Sequence, residues 1–209
     1  MKTLAVIVPF KAAMQKSRLS GVLDPTQRRR LSLLMLENVL GAVARAGLMS
    51  ACHVVSSDKE ALGLADRAGG VPVIEARDRG VNAAVQLGMR RARARRYLVM
   101  PADLPVLTDS DLRQAMALNS QGADVVISPS HQFDGTNLLL FSAKRRFHLS
   151  YDKNSFWNHL GTSAQLGCSV AVYTGLGAVL DIDTVEDLAA LARLPSAKRA
   201  VRFAMEAAA

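Results

Sequence analysis

The sequence alternates short apolar runs with longer amphipathic segments, and this alternation limits the fold more than any other feature. In the first 119 residues, runs rich in β-branched side chains predict strands at residues 4–8, 53–56, 71–74 and 97–100. The amphipathic segments predict helices at residues 24–46, 59–68, 82–95 and 108–119. Strands separated by helices in this way favour a mainly parallel sheet with helices on both faces.

The pattern becomes richer in strands after residue 119. Strands are predicted at residues 125–128, 138–141 and 170–173, and helices at 155–166, at 184–193 and after Pro195. We therefore expect an α/β fold, a three-layer sandwich with a mainly parallel sheet and an antiparallel elaboration in its second half. Since the chain has 209 residues and no low-complexity linker, residues 1–209 are expected to form a single domain.

The net charge of +8 suits either a nucleic acid or a small polyanionic substrate. The densest basic cluster, at residues 90–96, comes just before a predicted strand, whereas ligands of open α/β sheets bind at the carboxyl ends of strands. Aromatic residues make up 5% of the chain and none interleaves with these arginines. A nucleic-acid surface is therefore disfavoured, and a solvated helix end is the preferred interpretation.

The sequence lacks the marks of a membrane or secreted protein. No apolar run approaches the roughly eighteen residues of a membrane span, and the apolar N-terminal stretch stops at Pro9 with no cleavage site close behind. We therefore expect a cytoplasmic protein that begins with a strand. Cys52 and Cys168 have no metal-ligand spacing and are interpreted as buried thiols.

A basic loop follows the first predicted strand and carries Lys11, Lys16 and Arg18. Cations at the carboxyl end of a strand are well placed to bind phosphate groups. The loop is not a P-loop, because the Gly-x-x-x-x-Gly-Lys pattern is absent, and the chain has no Gly-x-Gly-x-x-Gly signature. A basic surface loop without a ligand is the alternative.

Asp103 closely follows the apolar strand at residues 97–100 and lies between Pro101 and Pro105. A carboxylate held still at the end of a central strand can bind a hard cation such as Mg²⁺. The alternative is an aspartate that only satisfies amides of its own loop.

Asp181 and Asp183 are two residues apart, so their side chains share a side of an extended segment. With Asp103 they would form a three-aspartate cage for one or two Mg²⁺ ions. The alternative is that Asp183 or Thr184 caps the following helix, with Glu186 completing a capping box.

Other kinds of active site have weaker support. The four histidines show no ligand spacing, and no nucleophile elbow is present. His159 stands in an apolar predicted helix beside Trp157 and is interpreted as a packing residue.

Several short motifs, in their order and spacing, resemble the 2-phospho-L-lactate guanylyltransferase family, which serves biosynthesis of the deazaflavin coenzyme F-420. The resemblance covers nearly the whole chain. It rests on Pro9-x-Lys11 with Lys16-x-Arg18-Leu19, Val81-Asn82-Ala83, Pro101-Ala102-Asp103-Leu104-Pro105, Gly135-Thr136-Asn137 and Asp181-Ile182-Asp183-Thr184.

The resemblance implies a Rossmann-like nucleotidyltransferase fold of the GT-A-like kind. It implies an enzyme that joins GTP to a small phosphorylated acid and releases pyrophosphate. GTP, the acid and Mg²⁺ would be its partners, with no nucleic acid and no membrane, and a homodimer stays open. The implied roles are metal binding by Asp103, Asp181 and Asp183; triphosphate binding by Lys11, Lys16 and Arg18; guanosine contacts by Asn82, Ser56 and Asp58; and binding of the acid by Thr136 and the loop at residues 151–155.

The chain departs from the family pattern at Asp152. The family usually has Tyr-Gly-x-x-Ser-Phe in the acid-binding loop, and here Asp152 replaces the glycine while Ser155 is kept. An aspartate disfavours a tight fit to a carboxylate but can accept a hydrogen bond from a hydroxyl. Of 2-phospho-L-lactate, phosphoenolpyruvate and 3-phospho-D-glycerate, only the last has a free hydroxyl, so the sequence favours it. The alternative is that Asp152 points to solvent and Lys153 neutralises it.

Two rival functions remain. One is another nucleotidyltransferase, of the sugar-phosphate or molybdopterin type, or a glycosyltransferase with an Asp-x-Asp site. Many of those nucleotidyltransferases have a Gly-rich loop after the first strand, whereas here no glycine occurs before Gly21. The other is a basic nucleic-acid-binding protein, which would bind DNA or RNA with a steep dependence on salt.

Overall fold

The computed structural model describes residues 2–11, 17–193 and 199–208. Within these residues the strands are β1 (Lys2–Pro9), β2 (Cys52–Ser56), β3 (Val71–Ile74), β4 (Ala94–Val99), β5 (Val125–Pro129), β6 (Thr136–Ser142) and β7 (Val170–Val172). The helices are α1 (Pro25–Arg45), α2 (Lys59–Arg67), α3 (Val81–Ala92), α4 (Asp109–Ser120), α5 (Ser155–Gln165), α6 (Leu176–Val179), α7 (Val185–Ala192) and α8 (Arg199–Ala208).

The strands form one sheet in the order β3-β2-β1-β4-β6-β5-β7. Strand β6 runs antiparallel to both of its neighbours, and every other adjacent pair is parallel. The predicted mainly parallel sheet with an antiparallel second half is therefore confirmed. Because β6 is reversed, its amino end lies at the same edge of the sheet as the carboxyl ends of the other strands.

Helices cover both faces of the sheet, as the alternation of the sequence predicts. In β1, Val6 and Val8 point into a core shared with α1, α2 and α4, whereas Ala5 and Ile7 point into the core beneath α3 and α5. Successive residues of a strand face opposite sides, so a strand that is apolar throughout must be buried on both. A third apolar cluster packs α7 and α8 against α1.

The helix starts follow the capping signals, with one correction. The Asp24 side chain accepts a hydrogen bond from the backbone N–H of Gln27, and the reciprocal bond completes a capping box at the start of α1. Helix α7 is capped by Thr184, and its capping-box partner is Asp187 rather than Glu186. The reason is positional, because the third residue after a Thr184 cap is Asp187.

The boundary between α3 and β4 differs from the prediction. The helix ends at Ala92, Arg93 adopts a left-handed conformation with φ 49°, and β4 begins at Ala94 instead of residue 97. Arg95 and Arg96 interrupt the apolar run at the amino end of β4, so the apolar pattern alone places the start of the strand too late. The basic cluster therefore lies at the amino end of β4, as predicted.

The two cysteines differ in exposure. Cys52 is fully buried, and burial raises the pKa of its thiol to about 12, whereas Cys168 is half-buried. The prediction of a buried thiol is therefore confirmed for Cys52 alone. None of the helices in the described part of the chain is both long and apolar enough to span a membrane.

Candidate active site

A cleft of about 220 Å³ opens where β1 and β4 end side by side. Strand β1 is followed in the chain by β2 on one side of it, whereas β4 lies on its other side, so the order of the sheet reverses here. Ligands of open α/β sheets bind at such switch points, outside the carboxyl ends of the strands. The residues lining the cleft include Lys11, Asp103 and Asp183.

The loop that carries Asp103 is fastened at both ends. Before it, the Met100 N–H donates to the Ile7 carbonyl over 3.1 Å, which extends the pairing of β4 with β1. After it, Asn38 of α1 donates to the carbonyl oxygens of Leu104 and Leu107 over 2.8 and 3.3 Å. These bonds add to the stiffness of the flanking prolines, so the carboxylate has little freedom to move.

Lys11 reaches the cleft from the end of β1 and contacts two carboxylates. Its Nζ lies 2.5 Å from Glu75 Oε2 and 2.9 Å from Asp78 Oδ1. The Glu75 side chain is nearly buried, with 6% of its surface exposed. The pKa of the Asp78 carboxyl lies below its usual value, chiefly because the Gly80 N–H donates to it and also because Lys11 is near. These contacts hold the lysine ammonium in one place in the cleft.

Two of the three predicted metal ligands share the cleft. Asp103 and Asp183 both line it, whereas the Asp181 Oδ1 lies 3.4 Å from Asn137 Nδ2 and 3.4 Å from His131 Nδ1. Among residues 2–11, 17–193 and 199–208, no group of three or more His, Cys, Asp or Glu side chains could hold a metal ion. The three-aspartate cage stays a prediction, and the carboxylates that line the cleft within the described part of the chain are Asp103 and Asp183.

The other predicted phosphate-binding residues are less well placed or lie outside the described residues. Lys16 belongs to residues 12–16, outside the described part of the chain. Arg18 lies in a short 3₁₀ turn at Ser17–Leu19, is exposed, and is not among the residues that line the cleft.

Ser56 and Asp58, the predicted guanosine contacts, have partners within the fold. The buried Ser56 hydroxyl donates to the Phe10 carbonyl over 2.7 Å, which fastens the end of β2 to the segment after β1. Asp58 caps α2 and lies 2.9 Å from Arg29. Neither side chain is among those lining the cleft, and their contact with a guanosine stays a prediction.

A second group of polar residues lies at the amino end of β6, at the same edge of the sheet. The Thr136 and Ser155 hydroxyl oxygens are 3.1 Å apart, and both residues are buried. Thr136 Oγ1 also lies 3.0 Å from His159 Nδ1 on α5. The structure therefore brings together the two hydroxyls predicted to bind the acid and adds a histidine that the sequence had marked for packing.

Asn82, in the first turn of α3, contacts the acid-binding loop. Its Oδ1 accepts from the Tyr151 N–H over 2.8 Å, and its Nδ2 donates to Asp152 Oδ2 over 3.1 Å. Asn82 thus bonds to two successive loop residues some seventy positions away. Asp152 is an exposed residue whose amide partner, Asn82, comes from another element; the alternative that the sequence left open, neutralisation by Lys153, is not the contact formed.

Several residues of the site were given no role by the sequence. Glu75 and Asp78 hold Lys11, and the buried Asn137 donates to the Val179 carbonyl over 3.1 Å. His131 lies 3.1 Å from Asp187 through its Nε2. The only signal that could have singled out Asn137 is its place after Thr136 in the Gly135-Thr136-Asn137 motif. For the others no spacing rule applies, because their partners lie far away in the chain.

The sheet order and the carboxylate-bearing cleft at its switch point define the nucleotidyltransferase fold. Solved structures share this fold. A crystal structure from Desulfovibrio desulfuricans G20, described as that of a nucleotide-diphospho-sugar transferase, superposes with a TM-score of 0.73 at 17% identity, covering 99% of this chain and 95% of that one. The 4-diphosphocytidyl-2C-methyl-D-erythritol synthase of Anaerococcus prevotii superposes with a TM-score of 0.57 at 14% identity, covering 89% of this chain and 94% of that one.

Sequence comparison narrows the class to one family. The family model described as "Guanylyl transferase CofC like" matches residues 4–204, and the chain belongs to this family. It is 36% identical to the phosphoenolpyruvate guanylyltransferase of Rubrobacter xylanophilus, over 91% of this chain and 94% of that protein. It is 33% identical to the 2-phospho-L-lactate guanylyltransferase of Methanothermobacter thermautotrophicus, over 90% of this chain and 83% of that protein. The predicted family and enzyme class, a guanylyltransferase, are thereby confirmed.

Proposed function

We propose that this single-domain enzyme joins GTP to a small phosphorylated acid, releases pyrophosphate, and acts in coenzyme F-420 biosynthesis. The observation that carries the proposal is that Lys11, Asp103 and Asp183 line one cleft at the switch point of the sheet. Relatives that act on phosphoenolpyruvate and on 2-phospho-L-lactate support an acid of this class.

The reaction needs positioning and charge neutralisation more than proton transfer. A phosphate oxygen of the acid forms a bond to the α-phosphorus of GTP, and the bond from that phosphorus to the pyrophosphate oxygen breaks. A phosphate monoester is largely dianionic near neutral pH, so no general base is required. The obstacle is the approach of two anions, and Lys11 supplies a fixed positive charge where they meet.

The donor set of the cleft fits Mg²⁺. The ion takes oxygen ligands and commonly uses one or two carboxylates together with substrate phosphates and water. Asp103 and Asp183 would hold it, with Asp181 as a third ligand by resemblance to the family. When bound, the ion would neutralise charge on the triphosphate and on the pyrophosphate leaving group.

The acid would bind at the other group of polar residues, between β6 and the loop at residues 151–155. Thr136 and Ser155 offer two adjacent hydroxyls, and Asn82 fastens the loop to α3. Asp152 has two carboxylate oxygens, and Asn82 donates to one of them. The other can accept a hydrogen bond from a substrate hydroxyl, which favours 3-phospho-D-glycerate over the two acids that lack one.

A matrix of nucleotides against acids tests the proposal. GTP, ATP and CTP are each combined with 2-phospho-L-lactate, phosphoenolpyruvate and 3-phospho-D-glycerate in the presence of Mg²⁺, and pyrophosphate release is measured. We expect release with GTP that requires an acid and is fastest with 3-phospho-D-glycerate. Release without any acid, or equal use of the three nucleotides, would contradict the proposal. Faster turnover of either other acid would contradict the acid preference alone.

A further inference from the structure

His159 is buried, yet both of its ring nitrogens contact polar atoms. Its Nδ1 lies 3.0 Å from Thr136 Oγ1, and the Ser150 N–H donates to its Nε2 over 3.0 Å. Its ring also packs edge-on against Tyr151, with ring centroids 4.9 Å apart. A phenylalanine would satisfy the ring packing equally well, so the two nitrogens call for a separate explanation.

The backbone fixes which nitrogen carries the proton. A nitrogen that accepts a hydrogen bond from a backbone N–H has no proton of its own, so Nε2 is bare. Burial, with a smaller effect from the charge of His148, lowers the pKa of His159 to about 4, so the ring is neutral near pH 7. The single ring proton therefore sits on Nδ1 and is donated to Thr136 Oγ1.

Counting protons shows what this tautomer does for the two hydroxyls. His159, Thr136 and Ser155 bring three protons to their two mutual contacts, the first between Nδ1 and Thr136 and the second between Thr136 and Ser155. Each contact uses one proton, so one hydroxyl proton is left to donate outside the group. In the opposite tautomer Nδ1 would accept from Thr136, both hydroxyl protons would be used, and none would be left.

We infer that His159 is a positioning residue that turns the Thr136–Ser155 pair into a hydrogen-bond donor for an anionic oxygen of the phosphorylated acid. The inference rests on the proposed function, because it takes this pair as the binding site of the acid. A hydroxyl pair that can only accept would repel a carboxylate or phosphate oxygen. The histidine prevents this, because its Nδ1–H donates to Thr136 Oγ1 and one hydroxyl proton of the pair is then left to donate to the acid.

Two amide substitutions separate the roles of the two nitrogens. Asparagine places its Nδ2 where the ring has Nδ1, so His159→Asn keeps a donor to Thr136 and loses the acceptor for Ser150. Glutamine reaches the position of Nε2, so His159→Gln keeps the acceptor for Ser150 and loses the donor. Either change leaves space in the core, so a general loss of packing would affect the two variants alike.

We expect His159→Gln to raise the KM for the acid roughly tenfold or more, with the KM for GTP unchanged. His159→Asn should stay within a few-fold of the wild type, and the control His148→Asn, at an exposed histidine, should match it. Equal KM values for the acid in the Asn and Gln variants would overturn the inference.

A measurement on the wild-type protein tests the tautomer without activity. A long-range ¹H–¹⁵N spectrum should show one neutral histidine with its proton on Nδ1 that stays neutral at pH 5.5. A proton on Nε2 would overturn the inference even if the variants fail to fold. Failure of the proposed function looks different, because no acid would then be turned over with GTP while the Nδ1 proton is still observed.

Discussion

The ammonium nitrogen of Lys11 lies 2.5 Å from a carboxylate oxygen of Glu75, although the two residues are 64 positions apart. Asp78 contacts the same ammonium. The lysine proposed to face the triphosphate is therefore held in the cleft before any nucleotide arrives. Triphosphate oxygens would share this cation with the two carboxylates, which fix its position at the cost of part of its charge.

Lys11→Met tests this arrangement through both activity and stability. We expect kcat/KM for GTP to fall at least roughly tenfold, because a fixed positive charge near the phosphates is lost. Stability should also fall, by roughly 3 kcal/mol, because Glu75 is left buried without its cation. Pyrophosphate release and urea unfolding measure the two effects.

The double variant Lys11→Met with Glu75→Gln separates these effects. Removing the buried charge as well should recover most of the lost stability but none of the activity. Lys59→Met, at an exposed lysine of α2, is the matched control and should alter neither. Recovery of activity in the double variant would contradict a direct role of Lys11.

Asparagine at Asp103 or Asp183 tests the proposed metal ligands. Each substitution removes one negative charge with little change of shape, and we expect kcat to fall roughly a hundredfold or more. Removing divalent ions with a chelator should abolish turnover by the wild type, and added Mg²⁺ should restore it. Asp66→Asn, at an exposed aspartate of α2, is the control. Full activity of Asp103→Asn would rule out a metal site that depends on it.

Much of the fold was predictable because its signals are local. The apolar runs of β1 and β2 and the capping box of α1 involve neighbouring residues, so the elements could be read in sequence. Helix α6 has four residues, too few for a helical period, and it was missed. The start of β4 was misplaced because Arg95 and Arg96 are tolerated at the end of a strand, where side chains reach solvent.

The site was predictable where the end of a strand or a family motif marks it. Asp103, Asp183 and Thr136 belong to such motifs, whereas the partners that hold them come from remote segments. Asn82 meets Asp152 across 70 positions, and nothing local to either residue specifies that contact. Such pairs follow from the order of strands in the sheet, which a single sequence does not reveal.

Asp152→Gly tests the preference for the acid. The change removes a carboxylate and restores the residue usual in the family, so we expect kcat/KM for 3-phospho-D-glycerate to fall and that for phosphoenolpyruvate to rise. A combined shift of roughly tenfold in their ratio corresponds to one hydrogen bond to a charged group. Competition assays with both acids and limiting GTP measure it directly.

Lys153→Ala is the matched control for this substitution, because it changes the charge of the same loop at the next position. It should leave the ratio of the two acids near the wild-type value. An unchanged ratio in Asp152→Gly would show that Asp152 serves the loop through Asn82 alone and does not contact the substrate.

At Gly88, α3 packs directly against side chains of β1 and β2. A Cβ atom there would lie 2.7 Å from Ile7 Cγ2 and 2.9 Å from Val55 Cγ2, so Gly88→Ala should destabilise the protein by roughly 1–3 kcal/mol. Gly161 of α5 has nothing within 4 Å of the same position, and Gly161→Ala should stabilise by roughly 0.5–1 kcal/mol. Urea unfolding of both variants measures the difference, and effects of the same sign would contradict the packing argument.

His159 should make stability depend on pH in mildly acidic solution. Its pKa is lowered from 6.5 to about 4 in the native state by burial. Between these values the unfolded chain binds a proton that the native protein excludes, so the free energy of unfolding falls as the pH drops through this window. The loss attributable to His159 is at most on the order of 3 kcal/mol and is complete below about pH 4. Urea unfolding at pH 7, 5.5 and 4.5 should show a steeper decline in the wild type than in His159→Gln, which has no titrating group at this position. Parallel declines would mean that the native ring takes up its proton at the same pH as the unfolded chain, which would contradict the lowered pKa.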